Sequence, residues 1–219
     1  MEHNGKLPKE LDAEVKAAMT KVEKVMKKKF GDPKRPLLVS VRSGARMSMP
    51  GMMETVLNVG LTTKTIPGLI AETGDERFVY DAYRRLITMY SDVVMEKAAG
   101  VEPAEGHGIR QKLEHAMESK KASRGITEDT DLSAADLKDL CDEYKAIVVA
   151  TLGEAFPDDA ERQLWGKARS MLMSAANDVD LGDGGRRQAW ACLGQLAERE
   201  HREEEAARYF RLAALLDKA

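Results

Sequence analysis

The sequence predicts a predominantly helical α+β protein, and three observations predict it. Aromatic residues make up only 5% of the chain while alanine, leucine, methionine, lysine and glutamate are abundant, a composition that favours helices. Apolar residues recur at three- and four-residue spacings along most of the length. Only around residues 37–61 does the pattern change, to short β-branched runs broken by glycine, serine and proline. With 219 residues and 43% hydrophobic content, the chain can bury a substantial core.

The first predicted element is an amphipathic helix over 8–30. Pro8 lies near its first turn, and Leu11, Val15, Met19, Val22, Val25 and Met26 form its stripe. Gly31, Asp32 and Pro33 are expected to end it. Leu37, Leu38, Val39 and Val41 then make a run of strand length, stopped by Ser43-Gly44. From Pro67 the helical period returns, and Phe78, Tyr80, Tyr83, Leu86, Ile87, Tyr90, Val93 and Val94 mark a helix rich in aromatics. Residues 98–108 read as a loop, and a helix follows at about 109–122. Ser133 is placed as the N-cap of a helix running to about 152, with a break from Gly153 to Asp159. The last sixty residues read as three helices, with a glycine-rich turn at 181–185.

The net charge of −3 gives no global field that would gather nucleic acid or anionic membrane, so any anion site must be local. Cys141 and Cys192 are too few for a disulfide framework and lack ligand spacing, which points to a reducing cytoplasm. No apolar run approaches the roughly 18 residues that would span a bilayer. His3, His107, His115 and His201 read as solvated ends or polar helix faces. The acidic runs Glu128, Asp129, Asp131 and Glu203 to Glu205 read as solvated caps. No metal site is assigned; Asp32 and Glu54, flanking the motif below, are the acids to test for magnesium.

The segment LLVSVRSGARMSMPGMMETVLNVGL, residues 37–61, has the parts of an anion cradle. A strand positions the turn, Gly44 and Gly51 let backbone amides approach a ligand, and Ser43 and Ser48 add hydroxyls. Arg42 and Arg46 can supply paired contacts to phosphate oxygens. On the residues alone, a surface turn with two solvated arginines fits equally.

VSVRSGARMSMPGMMETVLNVGL resembles the nucleotide-binding segment of the pyruvate phosphate dikinase family. KKKFGDPKRPLLVSVRSGAR, RFVYDAYRRLITMYSDVVME, DTDLSAADLKDLCDEYKAIV and FPDDAERQLWG extend the resemblance from about residue 5 to about residue 165. It implies a partial ATP-grasp domain. In this family that domain binds Mg-ATP and passes a phosphoryl group to a histidine on a swivelling domain, which delivers it to pyruvate; the overall products are phosphoenolpyruvate, AMP and pyrophosphate. By the resemblance Arg42 contacts ATP phosphates, with Arg46 and the loop after it close by. Arg84 and Arg85 lie on a helical insert and are implied to face the phosphohistidine domain on docking. On the residues alone, Tyr83-Arg84-Arg85 equally fits a solvated edge beside a buried aromatic stripe.

The chain departs from the family pattern on both sides of this segment. Nothing corresponds to the family's glycine-rich opening with its ATP-binding lysine, or to the strand-rich half with the magnesium-binding carboxylates. None of the four histidines has the family's phosphocarrier setting. Instead, Trp190, Leu193-Gly194, Ala206-Ala207, Tyr209-Phe210 and Ala213 resemble one tetratricopeptide-type helical hairpin. The expected organisation is a nucleotide-binding segment over 1–62, a helical insert over 63–160 and a helical tail over 161–219. Expected partners are a nucleotide, bound as Mg-ATP weakly or not at all, a phosphohistidine domain or second chain, and a second copy through the C-terminal helices. Nucleic acid and membrane are not expected partners. The alternative is a non-catalytic helical interaction module.

Overall fold

A computed structural model of the chain describes residues 11–42, 55–96, 103, 106–177, 182–199 and 202–216. The chain divides into two units, one of residues 23–167 and one of residues 1–22 with 168–219. Helix α1 (Leu11–Met26) ends before the predicted Gly31 break. Lys27 turns left-handed with φ 53°, and the Lys28 N–H reaches the Glu23 carbonyl oxygen at 3.2 Å. The cause is Phe30, which packs half-buried against the core of the larger unit; its N–H donates to the Glu23 carboxylate at 2.9 Å. The stripe that predicted α1 is little buried, with Val15 and Met19 half-exposed and Val22, Val25 and Met26 exposed. Periodicity specifies a helix; it does not supply the neighbour that covers it.

Four short strands stand where one or two were expected. β1 (Lys29–Phe30) pairs in parallel with β2 (Pro36–Leu37), and β3 (Val39–Val41) pairs antiparallel with β4 (Val56–Val59). Pairings this short depend on long-range partners, which a local pattern cannot count. Asp32 makes the β1–β2 turn by accepting the N–H groups of Lys34 and Arg35 at 2.7 and 2.9 Å.

Past β4, the chain bends at a Thr62–Thr65 turn into α2 (Ile66–Thr73), with Pro67 in the first turn and Gly74 left-handed after the last. Gly68 packs directly on the β1–β2 turn: a Cβ there would lie 2.3 Å from the Pro33 carbonyl oxygen. Asp75 caps α3 (Glu76–Tyr90) by accepting the Phe78 N–H at 2.9 Å. Val79, Tyr83, Leu86, Ile87 and Tyr90 form its buried face, whereas Phe78 is exposed. The helix continues as one π-helical turn, Ser91–Glu96, in which all but Met95 are buried.

Glu96 accepts the Ile109 N–H at 2.8 Å and so caps α4 (Ile109–Arg124) from a distance. Ser133 and Asp136 form a reciprocal capping box at the start of α5 (Ala134–Leu152), where the sequence placed the cap. α3, α4 and α5 enclose one hydrophobic core, into which β4 sends Val56 and Val59. Phe156 sets its edge against Tyr83 and Tyr90, with ring centroids 6.1 and 5.6 Å apart. Gln163, at the start of α6 (Ala160–Asn177), is fully buried. It accepts the Gly60 N–H at 2.9 Å and donates to the carbonyl oxygens of Leu61 and Pro157 at 3.1 and 3.0 Å.

In the smaller unit, α7 (Gly182–Arg199) and α8 (Glu203–Leu215) pack with Ala176 through Ala189, Leu193, Ala197, Ala206 and Tyr209. Gly194 leaves room for Phe210, since a Cβ at that position would lie 2.6 Å from the ring. Trp190 stacks on Tyr209 with centroids 5.7 Å apart. The glycines expected to form a turn at 181–185 fall largely in the first turn of α7.

Candidate functional site

The cradle motif is anchored by a short antiparallel sheet. Val41, the last residue of β3, pairs with Val56, the first of β4, so residues 42–55 leave and rejoin neighbouring positions of one sheet. Arg42 follows β3 directly and is exposed to solvent. Among the described residues it is the only member of the predicted set; Ser43, Gly44, Arg46, Ser48 and Gly51 lie outside them, as does Glu54. Asp32 is engaged in its backbone turn, and these hydrogen bonds hold its carboxyl below the ordinary carboxylate range. Among the described residues no three histidines, cysteines or acids come together as metal ligands. His107 and His115 are exposed on loop and helix surface, and His3 and His201 lie outside the described residues.

A second region gathers arginines. α3, α4, α5 and β4 border a cleft of about 430 Å³, lined among others by Asn58, Arg84, Arg85, Thr88, Arg110 and Tyr144. Arg84 and Arg85 share one carboxylate one turn back on α3. Asp81 Oδ1 accepts Arg84 Nη2 and Nε at 2.6 and 3.1 Å, and Oδ2 accepts Arg85 Nε at 2.8 Å. Their exposures differ: the Arg84 side chain is 11% exposed and lies 3.8 Å from Asp129, whereas the Arg85 side chain is 63% exposed. Arg110 Nε donates to the buried Asp92 at 2.8 Å. Arg84 therefore ties the helices together, and Arg85 presents charge at the cleft mouth.

Sequence reasoning missed the residues that organise this region. Asp81 stands three and four residues before the two arginines, a spacing legible on any helix. Arg77 donates to the carbonyl oxygens of Leu132 and Asp129, each at 2.8 Å, and Lys121 reaches Asp129 at 3.1 Å. These partners lie far apart in sequence, so no local pattern announces them. Asp129, read from the sequence as a solvated cap, thus receives cations from α3 and α4.

The carboxylates here tie stability to pH. The Ser133 hydroxyl, donating at 2.6 Å, and Arg124, at 2.7 Å, hold the Asp136 carboxyl below its usual value. Burial pushes Asp81 upward, but hydrogen bonds and charge from Arg84 and Arg85 outweigh it and leave its value lowered. A lowered folded value means stability that is fully present above about 3.8, the unfolded value, and is lost as pH falls through the folded one. The thermal midpoint is expected to fall on acidification below about pH 4, with a shallower fall in Asp136→Asn. Equal acid sensitivity of the two proteins would show that Asp136 does not contribute.

Residues 3–95 match the model of the family described as pyruvate phosphate dikinase, AMP/ATP-binding domain. The chain carries part of this domain. It is 42% identical over 177 residues to a pyruvate, phosphate dikinase of Rhizobium meliloti, covering 81% of the chain and 18% of that relative. A Clostridium symbiosum relative is also 42% identical, over 172 residues, covering 78% of the chain and 18% of the relative. A chloroplastic pyruvate, phosphate dikinase of Zea mays is 47% identical over 158 residues, 72% of the chain and 15% of that relative. The chain thus spans less than a fifth of the length of these pyruvate phosphate dikinases. The family match includes Arg42, the whole 43–54 segment, and Arg84 and Arg85. Among the described residues no helix is long and apolar enough to cross a membrane.

Proposed function

We propose that the chain is a nucleotide-binding piece of a pyruvate phosphate dikinase-like phosphotransferase, a partial ATP-grasp segment that holds ATP phosphates on the Arg42 strand end. The observation that carries this reading is an exposed arginine directly after β3, at one end of a segment anchored in the β3–β4 sheet, within the span matched by the AMP/ATP-binding family. Arg42 and Arg46 pair with phosphate oxygens, and Ser43, Gly44, Ser48 and Gly51 supply hydroxyls and close backbone approach. Magnesium arrives with the nucleotide, as Mg-ATP. Binding is weak, because phosphoryl transfer needs several cationic groups and metal ligands at once. A phosphohistidine domain, on this chain's natural partner or a second chain, docks at Arg84 and Arg85 in a cytoplasmic setting. The organisation follows the same reading: nucleotide segment 1–62, helical insert 63–160 and tail 161–219.

Calorimetric titration of Mg-ATP into the chain tests it. Heat of binding that is lost in Arg42→Ala, with the circular dichroism spectrum unchanged, is the expected result. Equal affinity in both proteins removes Arg42 from the site.

A second reading is supported by α7 and α8. The close approach at Gly194 and the Trp190–Tyr209 stack are features of a tetratricopeptide-like hairpin, and Leu215 is exposed at the end of α8. On this reading the tail recruits a second copy or another helical protein.

A further inference from the structure

We infer that Asp81 is a positioning residue for Arg85, fixing its guanidinium so that the terminal nitrogens Nη1 and Nη2 face an incoming dianionic phosphoryl group at the cleft mouth. The inference rests on the reading that Arg85 meets a phosphorylated partner, and it assigns the carboxylate that makes Arg85 competent to do so. An arginine side chain has about 2 kcal/mol of rotamer freedom to lose on binding an anion. Asp81 removes part of that freedom in advance by holding Nε at 2.8 Å, and its grip leaves the two terminal nitrogens pointing outward from a largely exposed residue. The carboxylate is itself held in place. Its other oxygen is clamped by Arg84, which is nearly buried between Asp81 and Asp129 and so cannot swing toward solvent. Two guanidinium groups sharing one carboxylate leave the cluster with a net positive charge, and that charge is carried by the exposed member.

The arrangement opposes two physical effects, which makes it testable. If Asp81 acted only through its charge, removing that charge would make the cluster more positive and strengthen anion binding. If it acts by orientation, Asp81→Asn weakens binding in spite of the added positive charge, because neutral Asn accepts less strongly from two guanidinium groups.

The probe is phosphoimidazole, titrated into the full chain and followed by the side-chain Nε–H resonance of Arg85. Expected are a sharp, slowly exchanging Nε–H signal in the parent protein and its loss in Asp81→Asn. Affinity should fall about threefold to tenfold in that variant, with most of the affinity regained in Asp81→Glu. Arg85→Ala separates the two ideas. If Arg85→Ala weakens binding while Asp81→Asn leaves it equal or tighter, the docking reading stands and the Asp81 inference is overturned. If Arg85→Ala has no effect, the docking reading falls, and the Nε–H signal alone decides: its loss in Asp81→Asn upholds the positioning role, and its persistence overturns it.

Discussion

Gln163→Leu is expected to lower the unfolding free energy by about 3–5 kcal/mol, one of the two largest effects of any single substitution considered for this chain. Leucine fits the volume, so the loss is not a cavity. It is the abandonment of three buried backbone groups: the Gly60 N–H and the carbonyl oxygens of Leu61 and Pro157. Each group left without a partner costs about 1–3 kcal/mol, because neither water nor another donor replaces the amide in a fully buried position. Glutamate in the same place would keep the acceptor for Gly60 but donate nothing to the two carbonyls, so Gln163→Glu should also be strongly destabilised at neutral pH. Urea unfolding at constant slope measures both variants. A change below about 1 kcal/mol for leucine would show that the network is replaceable.

Gly68→Ala should cost a comparable amount, with a sign opposite to that of most glycine replacements in helices. In an open helix alanine is favoured over glycine by about 1 kcal/mol. Here the added methyl would lie 2.3 Å from the Pro33 carbonyl oxygen and 2.8 Å from that of Lys34. Both obstacles are backbone, fixed by the Asp32 turn and by β1–β2 pairing, so neither can rotate aside as a flexible side chain would. Relief requires α2 to separate from the turn, and we expect a loss of about 3 kcal/mol or more. Gly74→Ala is the comparison. Its neighbourhood is open and only its left-handed backbone, φ 69°, opposes the change, so a smaller loss of about 1 kcal/mol is expected. Equal midpoints for the two variants would show that the contact at Pro33 yields.

The helices were legible because their signals are local. Ser133 followed three residues later by Asp136 is a capping pattern, and the structure forms it with both hydrogen bonds. Trp190, Gly194, Tyr209 and Phe210 likewise announced two closely packed helices. The strands were only half legible, since Lys29–Phe30 and Val56–Val59 are strands by virtue of partners elsewhere in the chain. Met26 shows the converse: it fits the stripe of α1 but is exposed. Of the candidate site, Arg84 and Arg85 could be named from the sequence, but not their division of labour. That division comes from burial, from Asp81 and from Asp129, the last contributed by a turn more than forty residues away.

The π-helical turn at Ser91–Glu96 has a bearing on how this chain tolerates length change. A π turn holds one more residue than the α-helical turn it replaces, as though a single residue had been inserted without breaking the helix. Deleting one residue there would allow regular helix to run on, rotating everything after the deletion by about 100° relative to α3. Asp92 and Glu96, which now meet Arg110 and the start of α4, could not both keep their partners. A one-residue gap in this turn is therefore a change of pairing between helices, whereas gaps of the same size in the exposed turn after α4 leave every helix face where it was.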